Sequence, residues 1–216
     1  PFRAQGNYID FGTALHCAFG AMVALRERDA TGRGQQVSGS LLGTAVAVSN
    51  GLTIDYALNG IEREPMTNRS FGSAPTDMFR TRDGWIITQV VSNAIFARWA
   101  RLVEAPELID DPRFASDEAR GAHGIILSER MSAWCAVRTT DEAIEQLGAA
   151  RVPAGPVLAP GQVMAHPQVG AAGLVEPMRY PGTRGDAPVV RAPIKLSNSL
   201  KAPMHAAPQS GQHSAA

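Results

Sequence analysis

Between Gly12 and Arg28 the large apolar residues Leu15, Phe19, Met22 and Val23 recur on one helical face, and Ala14, Ala18 and Ala21 keep the helix slim. This predicts a first helix able to pack closely against a neighbour. A short extended piece follows over Gln36 to Ser40. Leu41 to Leu58 then reads as one long, weakly polar helix closed by Asn59-Gly60. From Ile61 to Ala74 the chain is rich in Arg, Glu, Asn, Ser, Pro and Gly and predicts a loop, of a length that in compact domains is often functional.

Two extended runs, Asp77 to Thr81 and Trp85 to Val91, flank Arg82-Asp83-Gly84, and an Asp-Gly pair between such runs is a strong hairpin signal. Ile95, Phe96, Trp99, Leu102 and Val103 then predict a helix over Asn93 to Val103 that packs beneath the hairpin. Asp111-Pro112-Arg113-Phe114 breaks the chain. A further helix covers about Ala122 to Val137 with Ile126, Met131 and Trp134 inward. The next begins at Thr139, where Thr139 and Glu142 form a capping box and Ala143, Ile144 and Leu147 face the core. Beyond Gly148, Pro and Gly recur too often for long helices, so short strands and turns are expected. Lys201 to Ala216 shows no periodicity.

Composition changes this picture little. A chain of 216 residues, 44% hydrophobic and 19% charged, is ordinary for one or two globular domains. Twenty basic and twenty acidic residues cancel, with no block of like charge, which argues against nucleic acid or an anionic membrane surface as partner. Leu41 to Ile54, the most apolar stretch, is interrupted by Thr44, Ser49, Asn50 and Gly51 and falls short of the ~20 residues that span a bilayer. No transmembrane helix or signal peptide is expected, and the default location is cytoplasmic.

Candidate chemistry is sparse. Cys17 and Cys135 sit in apolar helical patterns and read as core residues, and neighbouring His16 and Cys17 point about 100° apart on a helix. His16, His123, His166, His205 and His213 are scattered, and neither a zinc spacing nor His-Glu-x-x-His occurs, which argues against a metal site. Ser38 and Ser40 do not satisfy Gly-x-Ser-x-Gly. The run Thr31-Gly32-Arg33-Gly34-Gln35-Gln36-Val37 lacks the third glycine and the preceding strand of a dinucleotide fingerprint, so its glycines read as the end of a helix turning into an extended segment. Residue chemistry alone gives a mixed α and β protein without a self-sufficient catalytic constellation.

The order of several blocks goes further. Asp10 with Gly12-Thr13, Ala24 to Arg28, Thr31 to Val37, Ser40-Leu41-Leu42, Phe79-Arg-Thr-Arg-Asp-Gly-Trp85, Asp110-Asp-Pro-Arg-Phe114, Val152-Pro-Ala-Gly-Pro-Val157, Pro193-Ile-Lys-Leu-Ser197 and Gly211-Gln-His213 together resemble the family III CoA-transferases, the CaiB/BaiF group. The resemblance implies an α/β fold: the end of a Rossmann-like large domain over 1–40, a linker helix over 41–58, a small α+β domain over 59–158, and a segment over 159–216 that returns to the large domain. It also implies exchange of CoA between an acyl-CoA and a carboxylic acid, through anhydride and thioester intermediates on an aspartate. No tightly bound cofactor or metal is implied, and the full-length partner is a second copy in an interlocked homodimer.

By that alignment the catalytic aspartate lies upstream of Pro1, so the chain resembles the second half of a longer enzyme and, alone, is expected to be inactive. Asp10 matches a separate family aspartate at the start of the first helix, where N-capping is the structural alternative. Leu15 falls where an apolar side chain packs on the CoA adenine in some members; a plain core leucine is the other reading. Gly72, Ser73 and Ala74 fall where certain members carry a glycine-rich flap over the active site, although only Gly72 is glycine here. Racemases acting on α-methylacyl-CoA share the fold, and a noncatalytic remnant that only folds or dimerises is a third reading.

Overall fold

The computed structural model describes residues 6–198, 204–212 and 214. The chain divides into two units, Pro1–Ser70 and Phe71–Ala216. The expected featureless tail, and the block ending at His213, lie partly outside the described residues.

The first unit is helical. Helix α1 runs over Tyr8–Thr31, longer at both ends than the apolar pattern implied. Asp10 is not its cap but sits in its first turn, where a carboxylate complements the helix dipole. Gly32 ends the helix in the left-handed conformation at φ 72°, and its N–H donates to Arg28 O. Gly34 needs no such freedom: a Cβ there would meet open space.

The chain then returns along the small-residue side of α1. A Cβ on Gly39 would lie 2.4 Å from Cys17 Sγ, one on Gly20 2.9 Å from Val37 Cγ1, and one on Gly12 3.1 Å from Thr44 Cγ2. The close approach anticipated from alanine is thus made by glycine, and Gly39 is the tightest point. The Thr13 hydroxyl lies 2.8 Å from Ile9 O and 2.8 Å from that of Thr44, the buried residue of α2.

The expected single helix over Leu41 to Leu58 is two: α2 (Leu41–Val48) and α3 (Asn50–Asn59), bent by 65° at Ser49. Ser40 caps α2 by accepting the Gly43 N–H at 2.9 Å. Ser49-Asn50-Gly51 are poor helix formers, and together they favour a break over continuation. Gly60, at φ 65°, ends α3 as the sequence indicated.

The second unit opens with an antiparallel hairpin, β1 (Thr76–Arg80) and β2 (Trp85–Gln89), in register Phe79 opposite Ile86 and Met78 opposite Ile87. Strand β3 (Ala154–Pro156) adds to β2 and completes a three-stranded sheet in the order β1-β2-β3. Alternation along β2 sends Ile86 and Thr88 inward and Trp85, Ile87 and Gln89 outward. The inner face is covered by α6 (Gly124–Ala136) and α7 (Thr140–Ala149), against which α4 (Asn93–Leu102) packs. Phe79, Ile86, Phe96, Trp99, Phe114, Leu127, Met131 and Leu147 are nearly fully buried there, and the contiguous apolar core runs from Ala74 to Val152. On α6 Met131 and Trp134 face inward as expected, together with Leu127, whereas Ile126, also expected inside, is 40% exposed.

Between α4 and α6 lie two 3-10 turns, Pro106–Ile109 and Pro112–Phe114, and the short α5 (Asp117–Ala122). Arg120 on α5 is buried, and both of its terminal nitrogens are bonded while its Nε has no partner among the described residues. Its Nη2 pairs with Asp117, Nη1 donates to Phe114 O at 2.7 Å and Asn93 Oδ1 at 3.0 Å, and the guanidinium stacks over Phe96. Asp117 in turn accepts the Ser92 N–H with both oxygens, fixing the entry to α4. Helices α4 and α7 end in Schellman turns that place Glu104 and Arg151, both at φ 56°, where glycine is usual.

Past β3 come α8 (Pro160–Ala165), α9 (Pro167–Ala171) and a second hairpin, β4 (Val175–Arg179) with β5 (Asp186–Val190). The proline-rich texture gave short elements, as expected, with two short helices among them.

Candidate functional site

Leu15 lies in the middle of α1 and is 64% exposed, so the plain core reading fails within this chain. It belongs to a stripe with Tyr8, Phe11, Phe19 and Met22, spaced three and four apart and all exposed. The helix therefore has a small-residue face against its own unit and an aromatic face open to solvent. At 24 residues α1 is also long and apolar enough, by length and composition, to cross a membrane, which its alanine-rich middle had not signalled. Thr13, Cys17 and Gly20 on its other side are engaged with protein.

Gly72, Ser73 and Ala74 belong to the second unit. Gly72 is exposed, but Ser73 and Ala74 are each only 3% exposed. Ser73 Oγ lies 2.9 Å from Thr76 Oγ1, and the Ala74-Pro75 peptide bond is cis. Behind the segment, α5 and α6 present glycines: a Cβ on Gly121 would lie 1.8 Å from Phe71 O, and one on Gly124 3.4 Å from Ala74 Cβ. The segment from Phe71 to Pro75 is thus an anchored entry to the hairpin, with Gly72 as its exposed backbone. Leu15 and this segment fall in different units.

The hairpin turn differs from the two-residue Asp-Gly type. It is a four-residue loop closed by Thr81 N–H to Gly84 O at 3.0 Å, and Gly84 has no left-handed φ. Gly84 is needed because a Cβ would sit 2.8 Å from Thr140 Oγ1. Asp83 accepts the Thr140 N–H and hydroxyl at 2.8 and 2.9 Å. These bonds hold its carboxyl below the usual value of 3.8. Asp111, bonded to the Arg113 guanidinium and N–H, and Glu142, bonded to the Thr139 N–H and hydroxyl in the predicted capping box, are lowered by the same kind of contact. All three act as caps and turn anchors.

Neither cysteine is set up as a nucleophile. Cys135 is fully buried and its thiol is pushed up to about 12 by desolvation, while Cys17 is half-buried against Gly39. His16 and His123 bond to carbonyls four residues back, and His166 Nδ1 accepts the Gln168 N–H at 3.2 Å, all local helix contacts. Among the described residues no group of three or more His, Cys, Asp or Glu side chains is placed to hold a metal ion.

The described residues thus combine a mixed helix and strand architecture with an open aromatic helix face on α1. Residues 1–214 match the model of CoA-transferase family III, and the chain belongs to that family of enzymes. It is 32% identical over 168 residues, 77% of this chain and 42% of the relative, to a protein named succinyl-CoA–D-citramalate CoA-transferase from Chloroflexus aurantiacus. It is 28% identical over 214 residues, 99% of this chain and 48% of the relative, to a human protein named succinyl-CoA:glutarate CoA-transferase. The crystal structure of a CaiB/BaiF family protein from Brucella suis superposes with a TM-score of 0.76 at 26% identity, covering 100% of this chain and 55% of that one. The chain spans about half the length of these relatives.

Proposed function

We propose that this chain is the C-terminal part of a CoA-transferase that moves CoA between an acyl-CoA and a carboxylic acid, with the nucleophilic aspartate carried outside these residues. The observation that supports it most is the family match over 1–214 in a chain half the length of its relatives. Such chemistry needs a carboxylate that can form an anhydride and then a thioester. Within this chain Asp83, Asp111 and Glu142, whose carboxyls bonding holds below their usual values, are committed to turns and caps.

In this reading Leu15 and its aromatic neighbours receive an apolar, flat part of the CoA or the protein that surrounds it, and the segment of Gly72, Ser73 and Ala74 lies beside the substrate. Residues 1–40 close a large domain, 41–58 link it through the bend at Ser49, 59–158 form the small domain, and 159–216 return. The confinement of the apolar core to Ala74 through Val152 supports that plan. The whole enzyme acts in the cytoplasm as an interlocked homodimer. The transferase names of the relatives favour this over α-methylacyl-CoA racemisation.

The test is to sequence the DNA immediately upstream and assay both forms. An in-frame extension carrying an aspartate, whose replacement by alanine abolishes acyl exchange between succinyl-CoA and a dicarboxylate, supports the reading. Acyl exchange by the purified 216 residues alone overturns it.

A further inference from the structure

A cavity of about 200 Å³ opens at the C-terminal end of α4, against the end of α6, lined by Val103, Glu104, Arg130, Ala133, Trp134 and Arg138. Two guanidiniums share its wall, each held from one side only. Arg130 donates through Nε and Nη2 to Val103 O and through Nη2 to Glu104 O at 2.9 Å, the carbonyls that the Schellman turn leaves exposed. Arg138 donates through Nη1 to Trp134 O at 2.7 Å and through Nε to Gln146 Oε1 at 2.9 Å, and its plane lies 4.0 Å over the indole.

Those bonds fix both side chains, and among the described residues Nη1 of Arg130 and Nη2 of Arg138 take no hydrogen bond. Trp134, only 7% exposed, contributes its ring face to the wall beneath the Arg138 guanidinium. Glu104 is the sole carboxylate of the lining and forms no ion pair with either arginine among the described residues, so the wall keeps a net positive charge. The remaining walls, Val103, Ala133 and the indole ring, are apolar. Fixed guanidiniums lose little freedom on engaging an oxyanion, and their planar forks match a carboxylate.

We propose that this cavity binds a small organic carboxylate, its headgroup between Arg130 and Arg138 and its short carbon chain along Val103 and Ala133. A cavity of about 200 Å³ leaves room for an acid of a few carbons. Every lining residue lies within the second unit, so the site does not depend on the transferase reading or on any residue outside the chain.

The test titrates the 216-residue chain at micromolar concentration with succinate at constant ionic strength, following tryptophan fluorescence. A saturable change is expected. It should weaken at least tenfold in Arg130→Gln/Arg138→Gln. It should vanish in Ala133→Glu, which places a carboxylate in the cavity from an exposed position and leaves both guanidinium caps intact. Parallel titrations with inorganic phosphate and with chloride should not saturate at the same concentrations. No saturable response to succinate, an unchanged response in Ala133→Glu, or an equal response to phosphate or chloride overturns the proposal.

Discussion

Asp83 Oδ1 accepts the backbone N–H of Thr140 at 2.8 Å, tying the turn of the first hairpin to the opening of a helix 57 residues later. The same oxygen takes the Thr140 hydroxyl, while Thr81, buried beneath it, lies 2.8 Å from that hydroxyl. This carboxylate helps hold hairpin and helix together, beside the Thr81–Thr140 hydroxyl pair, and its bonds are stronger while it is ionised.

Because the folded value of Asp83 lies below its ordinary 3.8, its contribution is fully present above that value and is lost as pH falls through the lower, folded one. Asp83→Asn is expected to lower the urea midpoint at neutral pH and to flatten the fall in stability below about pH 4. The slope that remains belongs to Asp111 and Glu142, which are shifted in the same direction. Urea unfolding of both proteins at intervals between pH 2 and pH 6 is the check. A parallel offset at every pH would show that ionisation of Asp83 is immaterial.

Gly121 and Gly148 should respond to alanine with opposite signs. The Gly121 Cβ would meet the Phe71 carbonyl at 1.8 Å, so Gly121→Ala must displace backbone and is expected to cost about 1–3 kcal/mol. A Cβ on Gly148, within α7, meets nothing, and Gly148→Ala is expected to stabilise by up to about 1 kcal/mol. Chemical denaturation of the two variants decides both signs.

Thiol reactivity should distinguish the cysteines. With its thiol raised to about 12 and no exposure, Cys135 is expected to resist a disulfide reagent until the chain unfolds, whereas half-buried Cys17 reacts in the native state. One reactive thiol per native chain, abolished by Cys17→Ser, is the expected count. Two fast thiols would contradict the burial of Cys135.

Phe19, 73% exposed, contributes little to the stability of the isolated chain but much to its stickiness. Phe19→Ser is expected to leave the unfolding midpoint nearly unchanged, within about 0.5 kcal/mol, and to reduce self-association. Light scattering and unfolding measured on the same samples read the two effects separately.

Elements with strong local signals were legible in the sequence. The hairpin, the faces of α4 and α7, the Thr139–Glu142 capping box and the glycine ends at Gly32 and Gly60 all rest on short-range rules. Contacts between distant positions were not. The 65° break at Ser49 is decided by three consecutive weak helix formers competing with an otherwise apolar run. Ile126 lost its inward place to Leu127 because helix period alone does not set rotation against a neighbour. Gly39 and Gly121, the two most sterically required glycines, carried no signal, since what excludes a side chain there comes from elsewhere in the chain. The arginine pair at the end of α4 was hidden for the same reason: Arg130 meets Val103, and Arg138 meets Gln146, only once the helices have packed.

Strand β3 is three residues long and pairs with β2 across more than sixty intervening positions, with Thr88 Oγ1 donating to Pro153 O at 2.6 Å. During synthesis, then, the hairpin and its four following helices emerge from the ribosome before the piece that closes their sheet. Until Val152 through Pro156 have been translated, β2 offers an unpaired edge to whatever lies nearby. The interval between residue 89 and residue 156 is therefore a window in which a growing chain of this protein leaves that edge open to wrong pairing.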